Sequence, residues 1–173
     1  MARGNCIIVN EPHQRYTYSY PRLERYDWRT QESRLNAALP QFRTAIKVSP
    51  TSSTPPSTST TPTDSAPESL RIHFVHKASK HPNAIPLLLC YAWPSSFIEV
   101  QKIIESLTDP QSLPSYGTGA HQAFHVVAPS IPGFGFSDAS SAEMFGVRDT
   151  ATVFDKLMTR LGYKNYVVHG SGW

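Results

Sequence analysis

The C-terminal residues of the sequence have the types and spacing of a catalytic turn. The stretch HGSGW, residues 169–173, follows the apolar run YVV and places Ser171 between two glycines. An apolar strand that runs into such glycines predicts a sharp strand-to-helix turn, a geometry that exposes one side chain for nucleophilic attack. A serine at that point needs a histidine as its base. His73 and His125 both lie within predicted strands, so we interpret them as structural.

Ser171 therefore has two interpretations. We favour a small residue that eases a tight turn. The alternative is the nucleophile of a serine esterase-like hydrolase, for which the expected spacing is G-x-S-x-G. Here a glycine adjoins the serine directly on each side, so the spacing argues against that alternative.

Two further loops follow apolar runs and contain residues suited to a binding site. They are YAWPSS (91–96) and PSIPGFGFS (129–137). In a parallel α/β sheet, the loops at the carboxyl ends of the strands meet at one edge, where ligands bind. Phe134 and Phe136 are candidates for a pocket wall at that edge, and packing within the loop is the alternative. Asp138, directly after this loop, is expected to be exposed.

The intervening sequence predicts the elements that would hold these loops. AIPLLLCYA (84–92) is continuously apolar, as is typical of a strand covered on both faces of a parallel sheet. We predict an α/β fold, a partial core of a mostly parallel sheet with flanking helices, incomplete at its C-terminal side. The predicted parallel strands lie near residues 86–91, 124–128 and 165–169, and the predicted helices near residues 28–38, 96–107 and 147–161.

Composition divides the chain into four parts. Residues 49–68 consist mostly of Ser, Thr and Pro and lack large apolar side chains, so we predict a disordered linker. Residues 1–24 are interpreted as a divergent tail. Residues 25–48 are expected to form a short helical N-terminal segment with Asp27 as its cap, and residues 69–173 the α/β core.

Charge and cysteine content argue against several classes of function. The net charge of +3 comes from scattered basic residues, which does not indicate nucleic-acid binding. Cys6 and Cys90 are far apart, and no spacing of ligands predicts a metal site. The longest apolar run is shorter than the ~20 residues of a membrane span. We expect a soluble, cytoplasmic protein.

Several stretches together point to a family. YDWRTQESRLN, IHFVH, KIIESLTDP, AFHVVAPSIPGFGFS and LMTRLGYKNYVV occur in this order. They resemble the N-terminal half of microsomal-type epoxide hydrolases, enzymes of the α/β-hydrolase superfamily, over residues 25–48 and 69–173. The resemblance implies a small-molecule epoxide as substrate and no cofactor. It also implies an aspartate that attacks the epoxide to form an ester, and a histidine-activated water that hydrolyses this ester to a vicinal diol.

The family's HGWP loop, whose backbone N–H groups bind the oxyanion, corresponds to Tyr91, Ala92, Trp93 and Pro94. Trp93 and Pro94 agree with the family, whereas Tyr91 replaces the histidine and Ala92 the glycine. If Ala92 had to adopt a glycine-like backbone, the substitution would add strain of about 1 kcal/mol.

The family's elbow is commonly GGDWG, and its nucleophile position falls here on Gly172, next to Ser171. No catalytic residue is therefore intact, and Trp173 is expected at the pocket. The other catalytic groups of the family would lie beyond Trp173, so we expect an inactive fragment, as a truncated gene model or a pseudogene product would give. The alternative is a non-catalytic interaction or regulatory fragment that self-associates through an exposed sheet edge.

Overall fold

The computed structural model describes residues 26–49, 67–92, 94–110, 122–142 and 145–171, together with the backbone of residues 7–9 and 15–17. The chain divides into two compact units, residues 1–35 and 36–173. In the first unit, strand β1 (Ile7–Val9) pairs antiparallel with strand β2 (Arg15–Thr17).

Helix α1 (Trp28–Ala38) begins in the first unit, and Asp27 caps it. The Oδ1 atom of Asp27 accepts hydrogen bonds from the backbone N–H groups of Arg29 at 3.0 Å and Thr30 at 3.3 Å. These amides have no partner within the helix, so the cap satisfies them. The hydroxyl and backbone N–H of Thr30 hold the pKa of Asp27 below its ordinary value. The predicted helix near residues 28–38 and its cap are confirmed.

The second unit is built on a mixed five-stranded sheet with the strand order β3-β4-β6-β5-β7. Strand β4 pairs antiparallel with both of its neighbours, β3 and β6, whereas β5 pairs parallel with β6 and β7. The α/β prediction and its three parallel strands are confirmed, and antiparallel pairing on the β3–β4 side makes the sheet mixed. The strands are β3 (Gln41–Val48), β4 (Glu68–Lys77), β5 (Ile85–Tyr91), β6 (Phe124–Pro129) and β7 (Val167–Ser171).

Strand β3 is an addition to the sequence prediction, which placed a helix near residues 28–38 and no strand in the rest of residues 25–48. Only Ile46 and Val48 of its eight residues are fully buried. Because β3 is an outer strand, its other side chains are half-buried or exposed, and its sequence lacks the apolar run that marks β5. The weak pattern is the physical reason why β3 is absent from the sequence prediction.

The stretch rich in Ser, Thr and Pro connects two neighbouring strands. Val48 of β3 is the register partner of Glu68 of β4. The predicted linker extended to residue 68, but Glu68 begins β4 and its carboxylate accepts a hydrogen bond from the Ser141 N–H at 3.0 Å. Residues 50–66 lie outside the described residues, so their disorder stays a prediction.

The predicted helix near residues 96–107 is two shorter helices. A 3₁₀ helix (Phe97–Lys102) is followed by helix α2 (Ile104–Thr108). Between them the N–H of Ile103 donates to the carbonyl of Val100, three residues earlier, as in a 3₁₀ helix, whereas an α-helical bond would reach four residues back. The predicted helix near residues 147–161 is confirmed as α3 (Val147–Arg160). None of the described helices is long and apolar enough to cross a bilayer.

Helix α3 covers one face of the sheet. Its side chains Val153, Leu157 and Met158 are completely buried, and they belong to a core cluster with residues from β3, β4, β5 and β6. Burial of each such side chain stabilises the fold by about 1.5–3 kcal/mol. The packing holds the strands in register and so fixes the positions at which they end.

Candidate functional site

The carboxyl ends of the three parallel strands meet at one edge of the sheet. Tyr91, the last residue of β5, is the register partner of Ser171, the last residue of β7. Strand β6 ends at Pro129 on the other side of β5. The edge therefore brings together Tyr91, Pro129 and Ser171, the last residues of the three parallel strands.

The loop after β5 turns directly into the 3₁₀ helix. The N–H of Ser95 donates to the carbonyl of Ala92 at 2.8 Å. Ser96 caps the helix through its Oγ atom, which accepts from a backbone N–H at 3.4 Å. Pro94 is exposed. No described residue other than glycine has a positive φ, so Ala92 does not adopt a glycine-like backbone and the condition for strain at this position is not met.

Tyr91 points into the protein and is only 7% exposed. Its hydroxyl oxygen lies 3.5 Å from Oγ of Ser130. Burial raises the pKa of Tyr91 far above its ordinary value, because the phenolate would lose its hydration. The hydroxyl therefore stays protonated and is available as a hydrogen-bond donor.

The loop after β6 is closed on itself and presents two aromatic side chains. Gly133 and Gly135 have φ angles of 83° and 57°, a backbone region that favours glycine. The N–H of Gly133 donates to the carbonyl of Asp138 at 3.0 Å across the loop. Phe134 and Phe136 are 50% and 58% exposed. They offer apolar surface beside the sheet edge, and Phe136 also packs edge-on against His73. The pocket wall therefore stays a prediction.

Asp138 is an ion-paired anchor of this loop rather than the exposed side chain that we expected. Its carboxylate accepts from the backbone N–H of Arg71 at 3.0 Å and from the guanidinium groups of Arg71 and Arg43, each at 2.9 Å. The hydrogen bond from the Arg71 side chain is the main cause that holds the pKa of Asp138 below its ordinary value. The two arginines belong to β4 and β3, so Asp138 ties the loop to the antiparallel side of the sheet.

Ser171 is exposed, and no histidine lies within hydrogen-bond distance of its side chain among the described residues. His73 contacts Ser130 instead. The Nδ1 atom of His125 accepts from the Ser79 N–H at 3.0 Å. Both histidines are thus engaged in structural contacts, which leaves the interpretation of Ser171 as a turn residue in place.

His73 lies under the loop after β6. The sequence predicted only that His73 belongs to a strand, and not that it contacts this loop. Its Nδ1 atom is 2.9 Å from Oγ of Ser130, and its Nε2 atom is 3.1 Å from Oε1 of Gln41. Its ring packs edge-on against Phe97 and Phe136. Burial, with a smaller contribution from a nearby arginine, lowers the pKa of His73, so the ring is neutral at neutral pH.

The predicted site residues thus divide into two groups. The structure places Tyr91, Ala92 and Ser171 at one sheet edge, and the loop with the two phenylalanines follows the neighbouring strand. Trp93, Gly172 and Trp173 lie outside the described residues, so their roles stay predictions.

The described residues contain two surface clefts and no cluster of metal-binding side chains. Within the described ranges, no three His, Cys, Asp or Glu side chains gather closely enough to hold a metal ion. A surface cleft of about 560 Å³ is lined by residues of β3, β4 and α3, among them Lys156 and Arg160. A smaller cleft of about 200 Å³ contains His81 and Asp109. Neither cleft is lined by a described residue of the loops after β5 and β6.

Two family models match the chain. Residues 22–100 match the model of the epoxide hydrolase N terminus, and residues 85–173 match the model of the alpha/beta hydrolase fold. The two matches overlap in strand β5, so together they cover both the antiparallel and the parallel side of the sheet.

Individual proteins agree with these models. Epoxide hydrolase 1 of Oryctolagus cuniculus is 38% identical over 168 residues, which are 95% of this chain and 31% of that protein. The Aspergillus niger epoxide hydrolase structure is 33% identical with a TM-score of 0.61, covering 86% of this chain and 32% of that one. The juvenile hormone epoxide hydrolase structure from Bombyx mori is 32% identical with a TM-score of 0.62, covering 85% and 32%. The chain spans about a third of the length of these relatives, and it belongs to the α/β-hydrolase fold family, among the relatives of the epoxide hydrolases.

Proposed function

We propose that residues 36–173 form the part of an epoxide hydrolase core that carries the oxyanion loop and leads into the nucleophile elbow. The observation that carries this proposal is the register of β5 and β7. It places Tyr91, at the start of the HGWP-like loop, beside Ser171, one residue before the nucleophile position. A small-molecule epoxide bound at this edge would meet the exposed Phe134 and Phe136.

The reaction of the family needs groups that this sequence supplies only in part. A carboxylate attacks one epoxide carbon, the C–O bond breaks, and the oxygen takes a proton from an acid. Water then hydrolyses the ester, which releases the vicinal diol and restores the carboxylate. Glycine stands at the nucleophile position 172. Loss of a nucleophile typically lowers turnover by a factor of roughly a million, so we propose that residues 1–173 are inactive.

The first test is an assay of the chain itself. Purified residues 1–173 are incubated with an aryl epoxide and, separately, with a p-nitrophenyl ester. We expect no hydrolysis above a buffer blank in either case, because Gly172 offers no nucleophile and no described histidine is hydrogen-bonded to Ser171. Steady turnover of the epoxide would contradict the assignment of the elbow, and turnover of the ester that Ser171→Ala abolishes would favour the serine hydrolase.

The second test concerns the nucleophile position. We expect Gly172→Asp to add a single epoxide per chain without turnover, since the family resemblance assigns none of residues 1–173 as the histidine that activates water for hydrolysis of the new ester. Intact-mass measurement after exposure to the epoxide detects the adduct. Gly170→Asp is the matched control, because it places a carboxylate two residues earlier, within strand β7. Equal labelling of both variants would contradict the placement of the elbow at residue 172.

The alternative function, self-association, is favoured by one observation. All five residues of β7 are exposed, with Val167 at 43% and Val168 at 60%. At the opposite side of the sheet, the carbonyl groups of Ala45 and Lys47 in β3 accept hydrogen bonds from α3 side chains, which makes β3 less available for pairing.

Sedimentation velocity tests this alternative. If β7 pairs between chains, residues 1–173 sediment as a dimer whose fraction rises with concentration, and Val168→Lys reduces that fraction. The exposed Val147, which lies on α3 rather than at the sheet edge, provides the control Val147→Lys. A monomer at all concentrations would exclude the self-association.

A further inference from the structure

The backbone of His73 joins both ends of the loop after β6. The carbonyl of His73 accepts from the N–H of Ser130 at 2.8 Å, where the loop begins. The N–H of His73 donates to Oγ of Ser137 at 3.0 Å, where the loop ends. The hydroxyl of Ser137 in turn donates to the carbonyl of Ser130 at 2.9 Å. The loop that carries Phe136 is therefore closed around a single residue of β4.

The side chain of His73 has a defined tautomer. Gln41 donates from Nε2 to Oδ1 of Asn36 at 2.9 Å, so its Oε1 atom is the one that faces His73, and a carbonyl oxygen can only accept. The Nε2 atom of His73 must therefore carry the hydrogen. Because the ring is neutral, Nδ1 holds a lone pair, and the hydroxyl of Ser130 must donate to it.

The same reasoning extends to the end of β5. The hydroxyl hydrogen of Ser130 is used toward His73, so Oγ of Ser130 can only accept from the hydroxyl of Tyr91, 3.5 Å away. This bond is at the long end of the range. The result is a chain of hydrogen bonds that all point the same way, from Tyr91 through Ser130, His73 and Gln41 to Asn36.

Aromatic contacts connect the same ring to the helix after the oxyanion loop. Phe97, in the 3₁₀ helix, and Phe136, in the loop after β6, both pack edge-on against His73, with ring centroids 4.7 and 5.2 Å away. The two phenylalanine rings also touch each other at 5.7 Å. Edge-to-face pairs at these distances are favourable and directional.

We propose that His73 is a positioning residue of the candidate site. As the neutral Nε2–H tautomer, it holds the end of β5 and the loop after β6 together, and so sets the position of the oxyanion loop. The name of that loop rests on the proposed function, but the hydrogen-bond arrangement does not. A doubly protonated ring would donate from both nitrogens and reverse the bond to Ser130. The groups that face the ring are Gln41, Ser130, Phe97 and Phe136, with the charge of Arg43 nearby, and none of them is a carboxylate that would stabilise the charge.

Nitrogen NMR of the imidazole rings and the backbone amides tests the proposal on uniformly ¹⁵N-labelled residues 1–173, without substrate and at neutral pH. The signals of His73 are identified by their loss in His73→Gln. We expect His73 to be predominantly the Nε2–H tautomer. In Ser130→Ala we expect its tautomer ratio to change, and the backbone amide signals of Tyr91 and Ala92 to shift.

Tyr163→Phe is the matched control. It removes a tyrosine hydroxyl that lies 3.0 Å from Nε2 of another half-buried histidine, His76, so it should perturb the His76 signals and leave those of His73 unchanged. An Nδ1–H tautomer of His73, or unchanged Tyr91 and Ala92 signals in a folded Ser130→Ala, would overturn the proposal.

Two features keep the test decisive. If Ser130→Ala does not fold, Tyr91→Phe replaces it, and unchanged His73 signals in that variant would overturn the proposal. The NMR experiment contains no epoxide, so its result does not depend on the labelling experiment. If Gly172→Asp is not labelled by the epoxide, that result would contradict the proposed function and leave the tautomer result standing.

Discussion

Gly135 sets the path of the loop that presents Phe134 and Phe136. It has a φ of 57°, and a Cβ atom at this position would lie 3.1 Å from Oγ of Ser130. Alanine there would both strain the backbone and press on the hydroxyl that bonds to His73. We expect Gly135→Ala to lower the free energy of unfolding by about 1–3 kcal/mol.

Gly162 is the matched control for this prediction. Its φ is 90°, but a Cβ atom there would meet nothing within 4 Å, so Gly162→Ala introduces backbone strain alone. Urea unfolding of both variants should show the larger loss for Gly135→Ala. Equal losses would mean that the contact with Ser130 contributes nothing.

In the mildly acidic range, we expect protonation of buried histidines to make the free energy of unfolding depend on pH. Burial, with a smaller effect of nearby His125, lowers the pKa of His76 from its ordinary value of 6.5. The unfolded chain therefore binds protons first as the pH falls, so the free energy of unfolding decreases below about pH 6.5. The lowered pKa of His73 acts in the same direction.

Urea unfolding at about pH 7.5 and about pH 5.5 checks this prediction. We expect His76→Gln to weaken the pH dependence while it keeps a polar group near Tyr163. His169→Gln, at an exposed position of β7, is the control and should behave like the original chain. A pH dependence that His76→Gln leaves unchanged would exclude His76 as a source.

Among the elements, α3 packs a buried apolar face against the sheet. Leu157 is completely buried in the core cluster, whereas Val147 at the start of the same helix is 89% exposed. We expect Leu157→Ala to cost about 2–5 kcal/mol, because it leaves a cavity against the sheet. Val147→Ala should stay within about 0.5 kcal/mol. Urea unfolding compares the two, and a small effect of Leu157→Ala would contradict the packing of α3 on the sheet.

The elements also show where sequence patterns lose their information. The continuous apolar run of β5 and the amphipathic pattern of α3 were sufficient to predict both elements. The break between the 3₁₀ helix and α2 leaves the apolar spacing intact, since Phe97, Val100 and Ile104 are all buried. A pattern of buried residues therefore could not distinguish two short helices from one.

At the scale of the whole molecule, the pairing of β3 with β4 makes a specific prediction about the connecting stretch. Val48 and Glu68 are register partners in an antiparallel pair, so a short turn can join the two strands. We expect a variant in which residues 50–66 are replaced by a short Gly/Ser turn to keep its circular dichroism spectrum. Shortening a loop changes the closure entropy only slowly with length, so stability should not fall.

Urea unfolding and circular dichroism of that variant decide the question. Replacement of residues 70–76, in the middle of β4, by a Gly/Ser segment of equal length to those residues is the control and should abolish the fold. If the variant without residues 50–66 unfolds, the stretch has a structural role and the prediction of a linker is wrong.

The amino-acid sequence by itself determined the parallel strands, the helices that flank them, and the loops at which chemistry would take place. It also determined that position 172 holds no carboxylate. These features depend on local patterns and on residue identity, which a single chain displays directly. Only the tertiary structure decided that β3 joins the sheet, that Asp138 is bound by two arginines, and that His73 connects the loop after β6 to Tyr91. Each of these contacts joins residues far apart in the chain, and their partners are chosen by strand register and burial, which no local pattern specifies.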